Sequence, residues 1–402
     1  MEKQGIRKGM TMTTRNRLVV NLRALKNNLM VLNSRKEEGN PDAKVFGVVK
    51  ANAYGLGAVR VAREIEGEVD GFCVALPEEA KELVEAGIQK PILSLGYLPE
   101  EWMAYYVDHG IRPTLYDLDS ARAFNREAEK KGVRAPFHLA IDTGHSRIGI
   151  LWDDEDRMEK IRAMADLDHL VLEGAFSHFA SADEEDPAFT DRQFDRFLAV
   201  VGEMDQAGIR VPIRHIANDA ALIRDPKYVL DGVRLGISLY GEFPSRTIRD
   251  LYPIDLEEVV AWKTIITNVK TIAPGTPVSY NHKWRAPAPS RIATLQVGYA
   301  DGYARSLTNR ADVLIRGRRC PQVGAVCMDQ MMVDVTRLEE ELQARGQDPL
   351  SVGEEAYLMG HDPAEWPLDS PVTPLELADT VYTISYEILT SVSGRVTREY
   401  LD

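Results

Sequence analysis

The sequence predicts an α/β chain with a second, mostly β part: an N-terminal (β/α)8 barrel of the TIM type, then a smaller β domain. Three observations predict it. Over the first 250 residues, short apolar runs rich in β-branched and aromatic residues alternate with polar segments of helical period. About eight such runs occur, the number that closes a barrel of parallel βαβ units. Beyond residue 250 the helical segments thin out, and strand-like runs follow one another across short turns, the texture of an antiparallel sheet.

The predicted strands, in order, are VFGVV (45–49), FCVAL (72–76), PILSL (91–95), RPTLY (112–116), FHLAID (137–142), LEGAFS (172–177), VPIRHIA (211–217) and VRLGISLYG (233–241). Between them lie helical segments such as PEEAKELVEAG (77–87), DLDSARAFNREAEKKG (117–132) and DPAFTDRQFDRFLAVVGEMDQAG (186–208). Several close on glycine, as a helix C-terminus should. An open doubly wound sheet would alternate in the same way; the count of eight favours closure. In the second part, WKTIITNVKTI (262–272), RIATLQVG (291–298), ADVLIRG (311–317), PQVGAV (321–326) and QMMVDV (330–335) read as strands, and residues 373–392 as helical. The expected domains are 14–250 and 251–402, with the N-terminal strand a candidate addition to the second. The residues before Met10 or Met12 read as a dispensable tail.

Composition narrows the function classes. Hydrophobic residues are 44% and charged residues 27% of the 402, ordinary for a globular protein. A net charge of -14 argues against nucleic acid as a partner, which selects basic surfaces, and against anionic membranes. No stretch has the length and apolarity of a membrane span, and no apolar leader opens the chain. Cys73, Cys320 and Cys327 are too few and too scattered for a disulfide framework or a metal site. A cytoplasmic location is the expectation.

Barrel enzymes carry their chemistry at the C-terminal ends of the strands. Lys50 follows Val-Phe-Gly-Val-Val, so its stem emerges from a buried strand. There a lysine loses pKa and becomes a nucleophilic amine for carbonyl chemistry; a lysine snorkelling from a strand end is the plainer reading. The fifth strand ends at Asp142 with Arg147 shortly after, the sixth at Ser177-His178, and the seventh carries His215 and ends near Asn218-Asp219. Arg234 opens the eighth. A lysine, two histidines and two arginines thus converge on one rim. His145, His282 and His361 read as solvated polar residues. DEEDP (183–187) reads as a helix start, its carboxylates favoured by the helix dipole.

VVKANAYGLG (48–57) resembles the pyridoxal-phosphate attachment signature of the alanine racemase family. IDTGHSRIG (141–149), SHFASADE (177–184), GVRLGISLYG (232–241), VSYN (278–281), GYADGY (298–303) and VCMDQMMVDV (326–335) resemble that family's other motifs, in the same order. The resemblance covers about residues 14–400. It implies a racemase using pyridoxal 5'-phosphate, with alanine as substrate and D-alanine for the cell wall as product. It implies that Lys50 binds the cofactor and serves as base on one face of the substrate, while Tyr280 serves on the other. It implies a homodimer in which Tyr280 reaches the partner's barrel. Arg234 would meet the pyridine nitrogen and His178 the ring. Tyr54, Tyr386, Gly236 and Ile237 would hold the phosphate. Arg147 would touch the cofactor's phenolic oxygen and, with Met328 and Tyr299, the substrate region. Asn218 and His215 would support these groups. Two bases on opposite faces suffice for racemisation, and an arginine on the ring nitrogen keeps it unprotonated, because guanidinium does not give up its proton. A phenol ordinarily titrates near 10, so Tyr280 needs a cationic or hydrogen-bonding neighbour to act as base.

Several positions depart from the family pattern. A lysine common two residues before the Asp of its DTG motif is Ala140 here, so Arg147, taken as buried, should recruit a small anion or pair with Asp142. DTGM reads DTGH, with His145. The serine that touches the phosphate is Asp219, expected to turn away and cap the next helix. The glycine after the catalytic tyrosine is Asn281, and the histidine after AYG is Leu56. A racemase of serine, of basic amino acids or of broader range, and an inactive cofactor-binding paralogue, therefore stay open at this stage.

Overall fold

The computed structural model describes residues 15–361 and 369–402; the proposed N-terminal tail lies outside them. The chain divides into two compact units, Leu22–Val259 and a second that joins the strand Arg17–Asn21 to Val260–Leu401. The division falls downstream of residue 250, because Arg246–Leu251 forms a helix that stays with the first unit.

In the first unit eight parallel strands close on themselves: Lys44–Val48, Gly71–Val74, Ile92–Ser94, Arg112–Leu115, Ala135–Asp142, Leu170–Phe176, Ile213–His215 and Gly232–Leu235. The last pairs back onto the first, Arg234 opposite Phe46. This is the (β/α)8 barrel, and an open sheet is ruled out by the pairings between first and eighth and between fourth and fifth strands. The helices between follow local chemistry. Leu118–Lys131 starts where the Asp117 carboxylate accepts the Ser120 amide at 2.8 Å, an N-cap. It stops at Gly132, whose left-handed φ of 66° glycine adopts without steric cost. The helix after DEEDP runs Ala188–Gln206. VRLGISLYG is only half strand: pairing ends at Leu235, and Ile237–Tyr240 is a 3-10 turn closed by Gly241.

The second unit is built on the long strand Val260–Ile272, which pairs antiparallel with Arg17–Asn21, Ser290–Leu295 and Glu355–Met359. The N-terminal strand also runs parallel to Thr397–Leu401. The predicted run 321–326 is not a strand; pairing occupies Arg318–Pro321, and Gly324 then turns the chain with φ 77°. Residues 373–392 form two helices, Pro374–Val381 and Ser385–Thr390, interrupted at Tyr382, where φ is 61°.

Candidate active site

Lys50 stands where the first barrel strand ends. Tyr240 fixes that end by donating to the Val48 carbonyl at 2.7 Å. The next four residues, Ala51 to Tyr54, all have positive φ, 51° to 55°. A left-handed stretch of L-residues costs about 1–2 kcal/mol per residue and persists only where its surroundings hold it. Here Glu79 accepts the Ala51 amide at 2.6 Å and Asn52 accepts the Ala58 amide at 2.9 Å. Burial, then the charge of Arg147, lowers the Lys50 pKa, so its amine gives up its proton more readily than an ordinary lysine.

Arg234 crosses the barrel interior, 4% exposed. One terminal nitrogen donates to His215 Nδ1 at 2.8 Å and to the His215 carbonyl at 3.2 Å. The other donates to the Ser177 carbonyl at 2.8 Å, His178 Nδ1 at 3.1 Å and the Ile216 carbonyl at 3.2 Å. Among the described residues, Nε is its one nitrogen without a hydrogen bond. Burial pulls its pKa down to about 10, which leaves it cationic at neutral pH.

These contacts dictate the tautomers. Arginine only donates, so His215 Nδ1 accepts and its proton sits on Nε2. His215 Nε2 then donates to His138 Nδ1 at 2.8 Å, and His138 Nε2 donates to Glu173 at 3.3 Å. Arg112 grips the same carboxylate through two nitrogens, at 2.9 and 3.1 Å. Burial lowers the pKa of both histidines, keeping them neutral. Burial, then Arg234, holds His178 well below its usual range. His178 Nδ1 accepts from Arg234, so Nε2 carries its proton. The relay lies against Phe46 and Phe176, whose rings are 5.4 and 5.1 Å from that of His215. His138, Glu173 and Arg112 were not singled out from sequence; a histidine within the apolar run FHLAID was the available signal.

The turn after the eighth strand faces Tyr54. A Cβ on Gly236 would come within 2.8 Å of the Tyr54 hydroxyl, so only glycine leaves room for it. Asn218, not Asp219, caps the helix Asp219–Arg224, accepting the Ala221 amide at 3.1 Å. The expectation that Asp219 turns away to cap it is therefore corrected: its carboxylate turns inward onto the Gly236 amide, at 2.9 and 3.1 Å.

Arg147 is exposed in this chain. That corrects the premise that a buried charge there needs a replacement anion. Asp142 does not pair with it either: one carboxylate oxygen accepts the amides of Gly144, His145 and Ser146, shaping the loop that carries Arg147.

The second unit carries the remaining candidates. Tyr280 is 66% exposed, beside a groove of about 820 Å³ lined in part by Thr267, Asn268, Cys327 and Met332. Asn281 takes φ 60°, a conformation asparagine tolerates, which accounts for its standing where the family has glycine. The loops bearing Tyr299 and Met328 lie side by side, the Tyr299 amide donating to Cys327 and the Ala300 amide to Met328, each at 3.0 Å. Arg395 clamps them by pairing with Asp301 and Asp329 at 3.4 and 2.7 Å. Tyr386 lies half-buried on the helix Ser385–Thr390.

Comparison with known proteins agrees with the motif resemblance. The family model for the alanine racemase N-terminal domain matches residues 20–244, and that for the C-terminal domain residues 259–400. An alanine racemase of Methanococcus maripaludis is 38% identical over 383 residues, 95% of this chain and 97% of its own. The solved alanine racemase of Clostridium difficile 630 is 35% identical with a TM-score of 0.88, the match covering 97% of each chain. An alanine racemase of Bartonella henselae, solved with covalently bound pyridoxal phosphate, is 27% identical with a TM-score of 0.82, covering 96% of this chain and 99% of its own.

Proposed function

This chain belongs to the alanine racemase family, and from that premise we propose how its own residues carry the reaction. It interconverts L- and D-alanine, and its cofactor is pyridoxal 5'-phosphate. The barrel residues fit that group. Lys50 offers an amine of lowered pKa, Arg234 has one guanidinium nitrogen left to donate, and Gly236 leaves room beside the Tyr54 hydroxyl. When bound, the cofactor supplies an electron sink that acidifies the substrate's α-proton.

Lys50 holds the cofactor and moves the proton on one face of the α-carbon. Tyr280, contributed by a second copy of the chain, moves it on the other. Arg234 would meet the ring nitrogen and, staying charged, would keep it unprotonated, weakening the electron sink so that return of a proton would be favoured over transamination; the neutral His178 would pack against the ring. Tyr54, Tyr386, Gly236 and Ile237 hold the phosphate, with Asn218 supporting the turn. Arg147, Met328 and Tyr299 border the substrate.

The observation that carries this reading is the set of five hydrogen bonds locking Arg234 beside the lysine. The homodimer rests on a different one: Tyr280 is 66% exposed, and an aromatic base needs a surrounding that its own unit leaves open. A cytoplasmic location and a role in supplying D-alanine to the cell wall complete the proposal.

Mixing Lys50→Ala and Tyr280→Phe chains tests it. Each is inactive alone. After random exchange half the dimers are mixed, and one of their two sites has both bases, so about a quarter of wild-type activity returns. No recovery after confirmed exchange overturns the shared site.

A further inference from the structure

Asp219 stands apart from the groups the reaction uses. It is 5% exposed, and both its oxygens lie within 3.1 Å of the Gly236 amide. The backbone around Ile237 and Ser238 favours its charged form. Among the described residues it has no cationic partner. The titratable groups facing it from neighbouring elements are the phenols of Tyr54 and Tyr240, both pushed upward chiefly by burial. A buried carboxylate held only by neutral donors is an anion placed in an anion's cradle. Gly236 and Ile237 are the residues to which the proposed function gives the phosphate, and the present inference rests on that reading.

We propose that Asp219 is the resident anion of this cradle: it occupies the Gly236 amide until the cofactor's phosphate arrives, then yields it and takes up one proton from solvent. Asp219 thereby sets how tightly, and over what pH range, this chain holds its cofactor. Two anions at contact distance with no cation between them repel strongly in a poorly solvated site. Protonating the carboxylate removes the repulsion and turns it into a hydrogen-bond donor toward the phosphate. The proton is inexpensive near neutrality: burial pushes Asp219 up to about 6, against the backbone donors that favour its charged form.

The test titrates cofactor-stripped full-length protein with pyridoxal phosphate from pH 6 to pH 8, comparing wild type with Asp219→Asn, which keeps the shape and removes the charge. Above pH 6 the proton requirement weakens wild-type binding about tenfold per pH unit. The ratio of wild-type to variant Kd therefore rises from near unity at pH 6 to roughly 100 at pH 8. The phosphate's own ionisation is common to both proteins and cancels. Calorimetry at pH 8 in two buffers of different ionisation enthalpy should show wild type taking up about one proton more than the variant. Pyridoxal, which lacks the phosphate, should bind both alike. A pH-independent Kd ratio, or equal proton counts, overturns the proposal. Should the variant fail to fold, the wild-type proton count for pyridoxal phosphate against pyridoxal decides alone, an uptake no larger than the phosphate's own titration being the negative result. Borohydride reduction separates this from the underlying reading: a pyridoxyl label away from Lys50 sinks the cofactor site, whereas a label on Lys50 with a flat Kd ratio sinks only the role of Asp219.

Discussion

Replacing Glu173 by Gln perturbs the far end of the Arg234 relay without touching the barrel mouth. Burial alone would raise the Glu173 pKa, but the His138 and Arg112 hydrogen bonds outweigh it and bring it down to about 2. Against an ordinary value of 4.5, that gap corresponds to about 3 kcal/mol at neutral pH. With the side chain 28% exposed, we expect about 2 kcal/mol of it to survive solvent screening. Gln keeps an acceptor for His138 Nε2 but turns an amide toward Arg112, so the loss is that of the charge. The folded pKa lies below the unfolded one. The contribution is therefore present in full above about pH 4.5 and is lost as pH falls toward 2. Thermal and urea unfolding of wild type and Glu173→Gln at pH 7 and pH 3.5 measure it. The variant should be less stable at pH 7, and the gap should narrow at pH 3.5. Equal stability at pH 7, or a gap indifferent to pH, would refute the assignment of His138 as a donor and with it the tautomer chain to Arg234.

Two other substitutions probe the barrel mouth. Gly236→Ala puts a methyl within 2.8 Å of the Tyr54 hydroxyl. It should cost about 1–3 kcal/mol by overpacking, seen as a lower melting temperature, together with faster loss of pyridoxal phosphate on dialysis. Arg147→Gln removes the second-largest influence lowering Lys50. The pH at which cofactor incorporation reaches its plateau should then rise, by a modest amount because burial remains the larger cause; an unchanged or lower midpoint contradicts the stated origin of the shift.

The barrel was legible because its signal is repetition. Eight apolar runs became eight strands, and the residues at their ends, Lys50, His178 and Arg234, came to one rim. Legibility failed where hydrogen bonds across the barrel decide. His138 is adjacent to His215 and Glu173 through strand pairing, not spacing in sequence. Asp219 was expected at a helix cap because aspartate caps well; Asn218, one residue earlier, takes that role and frees Asp219 to point inward. Arg147 was taken as a buried charge left without a partner because Ala140 stands where the family has a lysine, whereas in this chain it is exposed on the Asp142-centred loop.

The two proposed bases sit in opposite environments, and this bears on how the reaction is assembled. Around Lys50 and Arg234 the barrel supplies its own order: buried donors, fixed tautomers and a left-handed turn anchored by Glu79 and Asn52. Around Tyr280 the chain fixes the backbone and leaves the ring bare. Ser279 holds φ 64° and ψ -172°, a region costly for any residue but glycine, and Asn281 and His282 also have positive φ. Ser279 Oγ secures this turn by donating to the Ala325 carbonyl at 2.6 Å. Strain retained under an exposed side chain brings the host unit no packing in return, since the ring is 66% exposed. It does fix the direction of the Tyr280 Cα–Cβ bond. In the proposed dimer the surroundings this phenol lacks come from a second copy's barrel, where His178 is neutral and Arg234, buried behind it, is cationic.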